Sequence, residues 1–408
     1  MAIDTGDTSW MLISTGLVML MTPALGFFEA GLIRSKNSLS AIVQTFSGLA
    51  VLSSLWFIIG FTLVFAPSQG GFIGGFDWIF FSGVPVNDSL DYAPTIPGVT
   101  FATYQMMFAV ITPLLITGAF AERMKWSSFF VFIIAWSIFI YYPLAHWVWG
   151  RGWLADLGIF DFAGGIVIHT SAGLGSLAAA LVLGRRKNFG PDIMVPHNIP
   201  LAVFGATLLW IGWFGFNAGS ALASGSLAAN TLLVTHIGSA TSAMVWLFLS
   251  WKRAGKPSTT AVINGAISGL AGVTPAAGFI TAQSSFLLGI VLGFASYYGI
   301  LLLKERLKID DALDVSSVHG ITGIVGSLAI GIIATTIINP AGPDGLLYGN
   351  PMQLGIQAIG VAVAATLGFV GTTVIMKIID AIIGLKVKSE EEEIGLDITQ
   401  HAERAYVD

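Results

Sequence analysis

Eleven apolar runs, each near or above the roughly twenty residues that carry a helix across a bilayer, dominate this chain. Lipid offers no partner to a bare N–H or C=O, so such runs fold as helices that satisfy their own backbones. They fall at about 8–31, 40–66, 99–121, 126–149, 161–184, 198–219, 228–251, 259–280, 284–303, 315–338 and 353–385. Charged residues make up 10 % of the chain, where a soluble domain uses about 25 %. The fold class read from this pattern is an all-α integral membrane protein of eleven transmembrane helices.

The basic residues give those spans a direction. Of the eighteen Lys and Arg, all but Arg151 fall in alternate connections or near the C-terminal tail. They are Arg34 and Lys36; Arg123 and Lys125; Arg185, Arg186 and Lys187; Lys252, Arg253 and Lys256; Lys304, Arg306 and Lys308; then Lys377, Lys386, Lys388 and Arg404. With the basic side cytoplasmic, an odd number of spans puts the N-terminus outside and the C-terminus inside. MAIDTGDTSW lacks the basic start of a cleaved signal, so the first run is expected to remain in the mature protein. The longest external connection, 67–98, holds Asp77, Asp88 and Asp91 and no Lys or Arg. Such a mouth favours a cation, although a solvated loop accounts for the same residues. The net charge of −5 comes largely from these segments and the tail, and is no nucleic-acid footprint. With no Cys, thiolate metal sites, cysteine nucleophiles and disulfides are excluded.

Eleven spans divide as five, five and one. A duplicated unit with an odd number of helices inserts in opposite orientations, as two inverted repeats about an in-plane axis. The fifth span carries Asp161 and His169, and the tenth carries Asp314 and His319, which suggests repeats at about 8–184 and 198–338, followed by a final helix at 353–385. Ionisable residues inside a membrane are costly and point to function. One such His is equally well explained as a core imidazole bonded to a helix carbonyl; two at corresponding places favour a pore lumen, where a neutral pair can relay a proton. Metal binding is weaker, since no third ligand stands at useful spacing. No nucleophile motif argues for an enzyme. Phe108, Trp149 and Phe216 could hold a desolvated cation on their ring faces, but position alone also fits lipid-facing aromatics.

Longer motifs go further. Asp161-Phe-Ala-Gly-Gly followed by His169, Ser171 to Gly175 and Arg185-Arg186 resembles the signature of the ammonium transporter family, the Amt/Mep/Rh proteins. Collinear matches include Gly118-Ala-Phe-Ala-Glu-Arg123, Ala145-His-Trp-Val-Trp-Gly150, Gly212-Trp-Phe-Gly-Phe-Asn-Ala-Gly-Ser220, Gly272-Val-Thr-Pro275, Val318-His-Gly320 and Gly395-Leu-Asp397. Trp149 with Ser220 favours the Amt branch. The resemblance implies an outer ammonium-recruiting site of Trp149, Phe108 and Ser220, with Tyr104 in a vestibule position often filled by Phe. It implies a gate of Phe108 and Phe216, a pore lined by His169, His319 and Trp213, and an Asp161 that shapes the outer site from within the protein. It also implies a homotrimer in the cell membrane with a pore in each subunit and no cofactor. The alternative on the same fold is an ammonium sensor with little flux, acting through a cytoplasmic partner.

Some residues depart from the pattern or read differently. Glu29 stands where the family more often has an aromatic, and a place at the cytoplasmic boundary or a subunit contact accounts for it. His146 and His236 read as packed structural histidines. The membrane domain is expected to end at residue 385. Residues 386–408 form a cytoplasmic tail whose run Glu390 to Glu393 is expected to be solvated. By resemblance, the segment beyond it packs beneath neighbouring subunits and couples to a PII-type signal protein.

Overall fold

Polar residues just ahead of the apolar runs set where several helices begin. Asp4, Asn198, Ser258 and Thr281 each accept a hydrogen bond from the backbone N–H three residues on, at 2.8, 3.0, 3.3 and 3.1 Å. Such caps satisfy donors that the helix itself leaves free. The computed structural model describes residues 2–187, 189–190 and 195–406. Met1 and the last two residues of the expected tail lie outside them.

Among the described residues, ten helices are long and apolar enough to cross a membrane. They are α1 (Thr5–Leu32), α2 (Ser35–Phe65), α3 (Gly98–Phe120), α4 (Trp126–Asp156), α5 (Gly165–Leu183), α6 (Ile199–Ala221), α7 (Ser226–Ala254), α9 (Ala282–Arg306), α10 (Ser316–Ile333) and α11 (Met352–Ile383). Between α7 and α9 lies α8 (Thr259–Val273), only 15 residues long. The expected span 259–280 is therefore corrected: its helix stops ahead of Pro275, whose ring cannot continue a helix. Turns at Val273–Ala276 and Ala276–Phe279 carry the chain onward, with Ala276, Ala277 and Ile280 wholly buried. Irregular backbone at membrane depth is tolerated when protein covers it. The other expected spans hold, with shifts of a few residues at their ends.

The acidic face carries a short antiparallel ribbon, β1 (Ser68–Gln69) with β2 (Ile73–Gly74). Here Arg151 stands over the Tyr92 ring at 4.7 Å and 3.8 Å from Asp91. The basic face is held by a buried ionic network. Arg186 donates to Glu122 at 2.6 Å and to both carboxylate oxygens of Asp310 at 2.7–3.1 Å. Arg34 and Asn37 donate to the other Glu122 oxygen at 2.7 and 2.8 Å, while Arg123 reaches the Asp310 carbonyl at 2.6 Å. Burial works against ionisation of Glu122 and Asp310, but the groups around them, Arg186 with Arg34 and Asn37 at Glu122 and Arg186 with Arg123 at Asp310, together outweigh it and hold both below the usual carboxylate range.

The glutamate run is solvated as expected at Glu390 and Glu393, but Glu392 is buried. It folds as α12 (Ser389–Ile394), followed by α13 (Leu396–His401). Glu392 is 2 % exposed and accepts the backbone N–H of Lys187 at 2.5 Å. Lys36 donates to the Glu392 carbonyl at 2.8 Å. Asp397 accepts the N–H groups of Leu39 and Ser40 at 3.1 and 2.8 Å, and Asn37 accepts that of Leu396 at 2.8 Å. A carboxylate beside the free donors of α2 is favoured by the helix dipole, so the tail is stitched to the basic face of the same chain.

Candidate functional site

The two histidines sit where the helix ladder slips. Gly165–Thr170 and Ser316–Ile321 open α5 and α10 as π-helical turns, a distortion that often marks functional positions. The start of α5 is fixed by Asp161. One of its oxygens accepts the N–H groups of Gly164 and Gly165 at 2.8 and 2.7 Å; the other accepts those of Ile166 and Val167 at 2.7 and 3.0 Å. With four donors on it and little exposure, this carboxylate organises the helix start and is spent on the backbone. It lies ahead of the helix, which is why α5 begins at Gly165 and not at 161.

In α10 the corresponding acid is Asp311, in place of the Asp314 read from the sequence. Asp311 accepts the N–H of Ser316, five residues on, at 2.7 Å, as Asp161 does from Ile166. Asp314 instead pairs with Lys304 at 2.7 Å. The signal was present in the spacing: Asp161 and Asp311 each precede a histidine by the same number of residues, and the two histidines are 150 apart. The same offset relates Gly173 and Gly323. A β-carbon on Gly173 would stand 2.1 Å from Gly320 Cα, and one on Gly323 would stand 2.8 Å from the Thr170 nitrogen. Only glycine permits this crossing, which brings His169 Nδ1 to 3.2 Å from His319 Nδ1.

Aromatic rings continue the line from the histidines toward the acidic face. His169 stacks on Trp213 and Phe216 with centroids 5.5 and 6.0 Å apart, and Trp213 also faces His319 at 6.5 Å. Trp213 is held by a hydrogen bond from its indole to Thr274, 2.9 Å, beside the break after α8. Phe216 meets Phe108 at 4.4 Å, both buried, and Phe108 in turn meets Tyr104 at 4.9 Å and the edge of Trp149 at 6.2 Å. Trp149 is half-buried, its indole donating to the Asp161 carbonyl at 2.8 Å. The Tyr104 hydroxyl lies 3.3 Å from Ser220 Oγ and 2.9 Å from the carbonyls of Gly215 and Phe216. The nine residues expected at the recruiting site, gate and pore thus lie in or directly beside one column through the chain.

Below the two phenylalanines is a cavity of about 20 Å³, room for a single water-sized molecule. His169 and His319 supply its polar edge. Its apolar walls, which sequence reasoning did not identify, include Met21, Leu25 and Phe28 of α1 with Ile111, Leu209 and Ile267. Their spacing along α1 is helical, but every face of such a helix is apolar, so the sequence does not mark which one meets a lumen. His169 Nε2 is buried and has no partner among the described residues.

Other candidates are placed elsewhere. His146 is structural, bonded to the Val64 carbonyl at 2.7 Å and Ser68 Oγ at 2.8 Å. His236, expected to be packed, lies on the exposed surface of the subunit against Trp210 and Phe214. Glu29 faces no boundary of the chain: it is 2 % exposed, and its two oxygens share one neighbour, the Thr117 hydroxyl, at 2.9 and 3.1 Å.

Residues 9–406 match the model of the Ammonium Transporter Family. The chain belongs to this family. It is 55 % identical to ammonium transporter 1 of Dictyostelium discoideum, over 99 % of this chain and 88 % of that protein. The fold agrees with the crystal structure of Candida albicans Mep2 at a TM-score of 0.89 and 34 % identity, covering 95 % of this chain and 88 % of Mep2. A solved Sensor Amt Protein agrees equally well, with a TM-score of 0.89 at 29 % identity, covering 97 % and 98 % of the two chains. Membership makes this chain a multi-pass membrane protein of a transporter family and not an enzyme.

Proposed function

We propose that this chain takes up ammonium by removing its proton at the acidic mouth and conducting ammonia past the histidine pair. The observation that carries the reading is the cavity: about 20 Å³, bounded by apolar side chains and two imidazoles, it fits one ammonia and no hydrated ion. Ammonium and potassium are close in size, so a filter of fixed radius separates them poorly. An apolar passage that demands deprotonation does so, because potassium has no proton to lose.

Trp149 and the ring faces of Phe108 and Tyr104, with the Ser220 hydroxyl, hold the cation as it sheds water. Phe108 and Phe216 stand between this mouth and the cavity and must swing aside for passage. In the cavity an imidazole nitrogen gives ammonia one hydrogen-bonding partner where the walls give none, and the His169–His319 contact offers the freed proton a separate route. We infer further, from the family resemblance and the charge pattern, a homotrimer in the plasma membrane. Its N-termini are outside, and its cytoplasmic tails are open to a PII-type partner. The repeat at an offset of 150 residues supports two inverted five-helix units. The sensor reading draws on the Sensor Amt Protein likeness and on the docked tail.

The test is an ammonium jump on proteoliposomes with current and internal pH recorded together, potassium as control, and His169→Leu/His319→Leu beside the native protein. Saturable current that potassium does not evoke and the double variant loses supports proton-coupled conduction. Internal alkalinisation without current supports electroneutral ammonia passage. Silence of both signals from folded protein overturns transport in favour of sensing.

A further inference from the structure

Away from the column, α4 and α11 form a groove of about 540 Å³ on the surface of the helix bundle. α4 brings Val131, Ala135 and Phe139 at four-residue intervals, and α11 brings a stripe that runs from Gly371 to Ile383. Ile140, Ile375 and Ile379 make a buried floor, while Phe139, Ile378 and Ile382 stand more than half exposed along the rims. An apolar patch of this kind on a membrane protein is covered by lipid or by another protein surface.

The length of the groove favours lipid. From Gly371 to Ile383 the α11 stripe rises about 18 Å at 1.5 Å per residue. Half of a hydrocarbon core of about 30 Å is close to that depth, so the groove reaches from the basic face to near the middle of the bilayer. It closes there because the helices touch: a β-carbon on Gly371 would stand 2.9 Å from Ile140 Cδ1, within the π-helical turn Ser137–Tyr141. A contact with a second copy has no reason to stop at the midplane, whereas an acyl chain of one leaflet ends there.

The other end is polar and positive. Ser127 continues the α4 stripe one turn before Val131 and is exposed. Lys125 donates from its ammonium to the Ile383 carbonyl at 2.9 Å, at the foot of the α11 stripe. Lys377 is exposed beside Ile378, and a stem of its length carries the charge toward the interface. Neither lysine makes an ion pair among the described residues. Asp380, the acid on α11, follows Ile378 by two residues and so lies on the opposite face of the helix, where it accepts the Leu385 N–H at 2.9 Å. Unpaired lysines at this level of a membrane attract anionic headgroups.

We propose that the groove between α4 and α11 seats an anionic phospholipid from the leaflet on the basic side. One acyl chain lies along Ile375 and Ile379, and the phosphate lies against Lys125, Ser127 and Lys377. The headgroup then meets the joint where α11 passes into the tail: the Leu385 carbonyl accepts the Lys125 N–H at 2.9 Å, and the Gly384 carbonyl accepts the Ser128 hydroxyl at 2.6 Å. This inference stands apart from the transport reading.

The test uses the full chain in phosphatidylcholine nanodiscs with a trace of phosphatidylglycerol that carries a diazirine on one acyl chain. After illumination, peptide mass spectrometry is expected to find adducts within 131–139 and 371–382. The same label on phosphatidylcholine should give a lower yield there, by about fivefold for each lysine that meets the phosphate. In Lys125→Gln/Lys377→Gln the two yields should converge, and Ala135→Trp, which fills the groove, should remove both. Equal yields from the two lipids in the native chain overturn the proposal, since the groove then takes any chain. Adducts confined to other helices, or untouched by Ala135→Trp, overturn it as well. A disulfide between copies in Ile378→Cys, in a chain with no other Cys, would assign the groove to a second copy and also overturn it.

Discussion

Replacing Asp161 with Asn separates architecture from chemistry at the mouth of the column. The carboxylate accepts four backbone N–H groups, two on each oxygen, at 2.7–3.0 Å. An amide keeps one acceptor oxygen and turns an NH2 toward the other two donors. Two hydrogen bonds to a charged group, each worth about 1.5–3 kcal/mol, are lost, so Asp161→Asn should cost about 3–6 kcal/mol. Strain follows where the NH2 meets the opposed N–H groups. The π turn bearing His169 begins within this cage, and the Trp149 indole hangs from the Asp161 carbonyl. Thermal unfolding in detergent should show a large fall in midpoint, and ammonium flux should fall with the folded fraction. A variant as stable as the native protein but dead in transport would refute the reasoning and move Asp161 into contact with substrate.

Arg186→Gln strands the buried Asp310 carboxylate and leaves Glu122 with Arg34 and Asn37 alone, and breaking such a pair from one side costs about 3–5 kcal/mol; stability on denaturant titration close to native would count against the network's role. Because Glu122 and Asp310 titrate below their ordinary values in the folded chain, they add stability that is full above their unfolded values and is lost as pH falls through the folded ones. The difference in melting between the native chain and Arg186→Gln should therefore be constant above about pH 5 and shrink in stronger acid. Asp397→Asn should free the tail from the start of α2 without unfolding the membrane helices, seen as faster proteolysis between residues 386 and 395. Trp149→Leu should raise the ammonium concentration that half-saturates transport, with assembly intact; an unchanged concentration dependence removes Trp149 from recruitment.

The long helices were legible because a bilayer imposes a length and an apolar character that few other contexts share. What was not legible came from local competition. The break after Val273 needed the weight of Pro275 against an otherwise continuous apolar run, and the late start of α5 needed Asp161 to be seen as a cap. Asp314 was nearer His319 in sequence and drew attention from Asp311, whose identity follows only once spacing and hydrogen bonding are matched to Asp161. The glutamate run carried the usual signature of a solvated face, but the basic connections it docks on are remote in sequence. The column itself was reached through motif resemblance, since aromatic residues in an aromatic-rich membrane chain do not announce which way they point.

The crossing of α5 and α10 carries a consequence of its own. Two helices of like construction, each opened by a capping acid and each presenting one imidazole across paired glycines, meet head to tail. The two imidazoles at the crossing are therefore presented alike by the two helices. In the function proposed above, such a pair sets no preference for import over export by itself. Any preference of direction would then belong, for that function, to the ends of the column, where the aromatic rings stand on one side only, and to the gradients across the membrane.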